Sequence, residues 1–106
     1  MKRVALTDGS GRWFDADKAE MYEEKTFWNG SNHISKATGS QWNHEKIYIT
    51  AGGKFIMYSW SDYQGSRDTV EEISDNYAAA WFARQEFDDD DIPEVFQSGV
   101  LDLEIK

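Results

Sequence analysis

The chain contains no cysteine in its 106 residues. That excludes disulfides, thiolate metal sites and a cysteine nucleophile, and it fits a reducing compartment. Histidine is nearly as scarce: His33 and His44 are the only two, and neither stands in HExxH or another close metal-ligand spacing. No apolar run approaches the roughly 20 residues of a membrane span, and the one after Lys2-Arg3 is too short for a signal peptide. A cytoplasmic location is therefore expected. Basic residues are outnumbered, 11 Lys and Arg against 20 Asp and Glu, for a net charge of −9. Direct binding to nucleic acid, which selects basic patches, is disfavoured. The glycines form neither a GxGxxG nor a Walker loop. No cofactor is implied.

What is abundant is negative charge and aromatic surface. Residues 88–106 hold one basic and seven acidic side chains, so two-thirds of the net charge sits in the last 19 residues. Asp88, Asp89, Asp90 and Asp91 are consecutive. Counted from Asp88 as a calcium loop, position six is Pro93 and position twelve is Gly99, where an EF-hand needs Gly and Glu. The run reads either as solvated charge that stops a helix or as a negative patch aimed at a basic partner. Five Trp, five Tyr and six Phe are many for one small domain. Each buries roughly 150–250 Å² when enclosed, which helps a short chain build a core. Exposed, Trp and Tyr anchor partners.

Periodicity predicts an α+β fold, an antiparallel sheet of short strands packed on one main helix, in a single domain spanning 1–106. Arg3–Thr7 reads as a strand, the Asp8-Gly9-Ser10-Gly11 cluster as a turn, and Arg12-Trp13-Phe14 as the returning partner. Asp15 is a helix cap for one or two turns reaching Met21. Lys25–Trp28 and His33–Ala37 read as short strands. Thr69-Val-Glu-Glu72 fits a capping box and Ser74 is a second cap, so 69–74 is either a strand end or an extra helical turn. Tyr77, Ala78, Trp81 and Phe82 recur at helical spacing, which places the main helix at 75–86. Pro93 discourages helical geometry at Ile92. Leu101, Leu103 and Ile105 alternate with Asp102 and Glu104, the pattern of a half-buried final strand.

The stretch Gln41–Ser66 organises the rest. Two runs of β-branched and aromatic residues flank Gly52-Gly53, a hairpin signal. A two-residue turn pairs Ile49 with Ile56, Ile47 with Tyr58 and Glu45 with Trp60. One face then carries Ile47, Ile49, Ile56, Tyr58 and Trp60, to be covered by Trp81 and Tyr77. Trp42, His44, Lys46, Tyr48 and Tyr63 lie on the other. A three-residue turn shifts the pairing by one and reverses the facing of Trp60. The two-residue turn sorts the apolar residues more cleanly and is the expectation. It sets His44 opposite Ser61 with Asp62 adjacent. A Ser-His-Asp triad would need convergent geometry and an oxyanion hole, and Asp62 would point away.

The residues Thr38-Gly39-Ser40-Gln41-Trp42-x-His44-Glu45, then Tyr48, Gly53, Trp60-Ser61-x-x-Gln64-Gly65-Ser66 and Glu72-Ile73-Ser74 form a recurring pattern with the Ala/Trp helix. With Leu6–Phe14 at the start, it resembles a group of short uncharacterised bacterial and mobile-element proteins. The likeness covers most of residues 4–86 and leaves the acidic 88–106 segment outside. It implies a prokaryotic or phage setting and carries no activity or catalytic residue.

These features predict a small, acidic, non-enzymatic protein-binding module. One form is an inhibitor that blocks the basic nucleic-acid-binding surface of a host or bacterial protein, like anti-CRISPR and anti-restriction proteins in charge and size. The candidate contact residues are Trp42, His44, Lys46, Tyr48, Tyr63 and Asp88–Asp91. The alternative is a small-ligand site or minor enzyme built on Trp42, His44 and Tyr63. A homodimer through an unpaired strand edge is a third arrangement.

Overall fold

The computed structural model describes residues 1–106. Eight short strands come first in the chain and the helices last. In order they are β1 (Arg3–Ala5), β2 (Trp13–Asp15), β3 (Glu20–Glu23), β4 (Thr26–Trp28), β5 (His33–Ser35), β6 (Asn43–Ile49), β7 (Phe55–Ser61), β8 (Thr69–Ile73), α1 (Asp75–Arg84) and α2 (Glu94–Asp102). The fold is α+β. A four-stranded antiparallel sheet runs β3-β6-β7-β8, and β1-β2 and β4-β5 are separate two-stranded hairpins.

The central hairpin has the register of the three-residue turn. Ile49 pairs with Phe55, Ile47 with Met57, Glu45 with Ser59 and His44 with Trp60. Thr50 and Lys54 close the loop around Ala51-Gly52-Gly53, with Thr50 N donating to Lys54 O at 2.9 Å. Gly53 has φ +80°, the left-handed residue that ends this loop type with a bulge. Because side chains alternate along a strand, this one-residue change moves Trp60, Tyr58 and Ile56 onto the same face as His44, Lys46 and Tyr48. The cleaner apolar sorting of the two-residue turn assumed that only one face is buried. Both faces are.

On the first face, Ile47 and Met57 pack against Ala78, Ala79, Trp81 and Phe82 of α1 and against Ile92 and Phe96. The helix α1 starts at Ser74, whose hydroxyl accepts from Tyr77 N at 3.1 Å. Tyr77 itself stays half exposed, so only Trp81 of the expected pair covers the sheet. The capping-box sequence at Thr69 is not used: Thr69–Ile73 pairs instead with β7. Residues 94–102 are helical, so Val100–Asp102 end a helix where the alternation over 100–105 suggested a strand. Leu101, Leu103 and Ile105 are exposed. The apolar residues that face α1 are Ile92, Phe96 and Val100, spaced by four, and that spacing wins over the shorter alternation at the chain end. Gly99 sits where a Cβ would come 2.9 Å from Ala79 Cβ, so the two helices approach closely.

The second face is covered by the β1-β2 hairpin, whose Leu6 and Phe14 enclose Tyr48, Ile56 and Val70. The helix expected after Asp15 is a single 3-10 turn, Ala16–Lys18, with Asp15 as its cap. Glu20–Glu23 then enters the sheet beside β6, where tertiary pairing overrides a weak helical preference. Thr7 clips the hairpin to β8: its N–H donates to Val70 O, and its hydroxyl accepts from Val70 N. Arg12 adds an ion pair to Glu72 at 2.8 Å. No helix is long and apolar enough to cross a membrane.

Candidate functional site

Two loops meet at the open end of the central hairpin, and their polar residues build them. Thr38 Oγ1 donates to Asn43 O, and Ser40 Oγ accepts from the N–H groups of Trp42 and Asn43. Gly39 donates its N–H to Ser35 O, and its φ of +74° turns the chain so that Ser40 O accepts from Ser35 N at 2.9 Å. On the other side Ser61 Oγ accepts from Tyr63 N, and Asp62 N donates to Trp42 O at 2.9 Å. The Thr-Gly-Ser and Ser-x-x-Gln-Gly-Ser segments therefore satisfy backbone groups that short loops leave open. They hold Trp42 against Tyr63, ring centroids 5.1 Å apart. Both remain open to solvent, Trp42 at 41% and Tyr63 at 58% exposure.

Beneath this pair lies His44. Its Nδ1 is 2.7 Å from Glu24 Oε2 and its Nε2 is 2.8 Å from Asp62 Oδ2. Carboxylates only accept, so both contacts are hydrogen bonds only when both ring nitrogens carry protons. The arrangement selects the imidazolium. Burial alone would lower the His44 pKa, but the hydrogen bonds to Glu24 and Asp62 and their negative charges outweigh it and raise the pKa. Glu24 is the buried anchor, its side chain 7% exposed. Its second oxygen accepts from Glu45 N at 2.6 Å. The ring stacks on Trp60 at 5.4 Å. His44 has no bond to Ser61, whose hydroxyl serves Tyr63 N, so no Ser-His-Asp relay is assembled.

On the same side of the sheet Lys46 Nζ lies 4.9 Å from the Tyr58 ring centre, 5.3 Å from Trp60 and 5.5 Å from Tyr48. This is a cation held by three aromatic rings. Tyr58 donates its phenol proton to Asp68. That bond, with burial, raises the Tyr58 pKa to about 12. Tyr48, read from the sequence as part of the outer face, is 6% exposed and packed at 5.1 Å against Phe14. It belongs to the second core, because the β1-β2 hairpin covers this end of the face.

A polar cavity of about 480 Å³ opens at the same end, lined by ten residues of which Trp60 is the single apolar one. Thr38, Asn43, Ser59, Ser61, Ser66 and Thr69 supply hydroxyl and amide groups, and Glu45, Arg67 and the carboxylate-paired His44 supply charge. Glu45 Oε1 accepts from Trp81 Nε1 at 3.2 Å and pairs with Arg84 at 3.3 Å. Burial raises its pKa, against the lowering effects of Arg84 and Trp81.

Trp42, His44 and Tyr63 are thus brought together, with Lys46 following on the His44 side. Asp88–Asp91 are exposed, three of them in a 3-10 turn. No hydrogen bond, ion pair or shared cavity links them to the aromatic end. Glu24, Asp62, Glu45 and Arg67 carry charge at the hairpin's open end and were not singled out as site residues. Asp62 was within reach, since the alternative register points it with His44. Glu24 had no local signal: it depends on β3 lying beside β6. No cluster of three or more His, Asp or Glu side chains is placed to hold a metal ion. Comparisons of the chain with protein-family models, with curated proteins and with solved structures yield no match.

Proposed function

We propose that the chain is a small acidic protein-binding module that docks on a basic surface of a host or bacterial protein. Its form is that of a mobile-element inhibitor occupying a nucleic-acid-binding groove. The observation that carries this reading is the Trp42–Tyr63 pair, in mutual contact and exposed on loops fixed by their own hydrogen bonds. Trp and Tyr dominate interface energetics when held rigid, since little conformational entropy is lost on contact. Asp88–Asp91 form no ion pair within the chain, so their charge is open to a partner of opposite sign and would speed its approach. His44 supports binding over catalysis in one respect: both its nitrogens are already committed to carboxylates, which leaves no free base.

An affinity pull-down from prokaryotic lysate at low and high salt identifies the partner. With that protein in hand, Trp42→Ala and Tyr63→Ala should each weaken binding by about 30-fold, the scale of an interface hot spot. Changing Asp88–Asp91 to Asn should slow association and flatten its salt dependence. Association kinetics that stay constant across the Asn series would remove charge-guided docking, and unchanged affinity in both aromatic variants would remove the Trp42–Tyr63 face.

A further inference from the structure

The polar cavity beside Glu45 adjoins the aromatic face, sharing His44 and Trp60 with it, and adds charge that face does not use. Glu24 and Glu45 are neighbouring carboxylates used differently. Glu24 spends one oxygen on His44 and the other on Glu45 N. Glu45 spends a single oxygen, Oε1, on both Trp81 and Arg84, while Oε2 has no protein donor. No buried side-chain polar atom in the protein lacks a partner, so Oε2 is open to solvent, although the Glu45 side chain is only 17% exposed. Glu45 lines the polar cavity. At its rim is Arg67, a cation that forms neither an ion pair nor a hydrogen bond in a chain with almost twice as many acids as bases. Its neighbour Asp68 is taken by Tyr58.

The geometry points to a binding site for a small zwitterion, a free amino acid or dipeptide, with its ammonium group on Glu45 and its carboxylate on Arg67. A volume of about 480 Å³ lies within the roughly 300–1,000 Å³ of small-molecule sites. The hydroxyl groups of Ser59, Ser61 and Thr69 match a peptide's amide and carbonyl, both as donors and acceptors. The His44 imidazolium also lines the cavity, but its charge is taken by Glu24 and Asp62. A simple anion would then meet Glu45, and a simple cation would leave Arg67 without a partner. A sugar would need an open aromatic face, and Trp60 already has His44 stacked on it and Lys46 beside it. A ligand with both charges satisfies both groups, and each of its ends forms a charge-assisted hydrogen bond.

The test follows the indole N–H resonances of Trp81, which touches Glu45, and of Trp60 while the folded protein is titrated with alanylalanine. N-acetylated, C-amidated and doubly blocked forms of the dipeptide serve as comparisons. A saturable shift is expected with the free dipeptide. N-acetylation and Glu45→Gln should each abolish it, and C-amidation and Arg67→Ala should each weaken it by about tenfold, as loss of one charged hydrogen bond does. Arg67 is exposed and without an internal partner, so its variant keeps the fold if Glu45→Gln does not. No saturable shift, an equal shift with the doubly blocked dipeptide, or full affinity in Arg67→Ala would each overturn the site.

Discussion

His44 Nδ1 lies 2.7 Å from Glu24 Oε2, joining the end of the central hairpin to the residue that follows the edge strand β3. Asp62 holds the opposite ring nitrogen at 2.8 Å. The imidazolium is therefore part of how three chain segments stay together, and its proton has a structural consequence. The folded-state pKa is raised, above the unfolded value of about 6.5. Stabilisation is complete below about 6.5 and fades as pH rises through the raised value. His44→Ala should cost about 2–3 kcal/mol near pH 6, because it leaves buried Glu24 with one partner fewer. The gap in melting temperature between wild type and variant should narrow from pH 6 to pH 9. A gap that widens over that range would contradict the imidazolium assignment.

The turn separates two adjacent glycines. Gly53 adopts φ +80°, whereas a Cβ on Gly52 meets only Thr50 Oγ1 at 3.9 Å. Gly53→Ala should destabilise by about 1–2 kcal/mol through left-handed strain. Gly52→Ala should be neutral or stabilising by up to about 1 kcal/mol, through a stiffer unfolded chain. Urea midpoints of the two variants give the comparison, and equal effects would be incompatible with the three-residue turn.

Much of the architecture is legible in the residue pattern, and the misreadings share a physical origin. The β1-β2 pairing follows from the Asp8–Gly11 turn cluster. The helix α1 follows from Ser74 and the spacing of Ala78, Trp81 and Phe82. Both signals are local. The helix expected through Met21 and the strand expected from Val100 were misassigned because their state is decided by what lies across from them: β6 for the first and α1 for the second. The hairpin register failed for a related reason. A strand pair buried on both faces has no polar side to sort against, so the pattern groups Ile56 inward with Ile47 and places its true partner Tyr48 outward with Lys46. Of the site, Trp42 and Tyr63 were legible as one face at the open end, although the loop bonds of Ser40 and Ser61, and not strand register, are what bring them together. The Glu24 contact was not, since it depends on an unrecognised strand.

Tyr58 provides a spectroscopic check on the Lys46 side of the sheet. Its hydrogen bond to Asp68 raises the phenol pKa to about 12. In an alkaline titration followed by phenolate absorbance, done on Tyr22→Phe because burial and Glu20 raise Tyr22 as well, a late transition belonging to Tyr58 should remain. Asp68→Asn should bring that transition back toward the ordinary value of about 10. A titration unchanged by Asp68→Asn would mean that this carboxylate does not hold the phenol proton.

The close approach of the helices sets a steric limit. A Cβ at Gly99 would lie 2.9 Å from Ala79 Cβ, and both atoms are fixed to helix backbones. Gly99→Ala gains up to about 1 kcal/mol of helix propensity and meets overpacking of about 1–3 kcal/mol. A net loss near 1 kcal/mol is expected in chemical denaturation. Net stabilisation would show that α2 shifts freely on α1.

The sheet is clad unequally, with eight buried residues in the cluster that includes the helices and five in the one beneath the β1-β2 hairpin. Two three-residue strands, the Thr7 clip and the Arg12–Glu72 pair attach that thinner cladding. Such a segment can detach by local opening while the rest of the protein stays folded. Amide protons of Val4 and Phe14 should then exchange with solvent sooner than those in the middle of β6 and β7. Each opening would bare Tyr48, Ile56 and Val70 as a transient apolar strip. The protein's susceptibility to self-association and proteolysis would then follow the opening frequency of its first fifteen residues, more than its global unfolding.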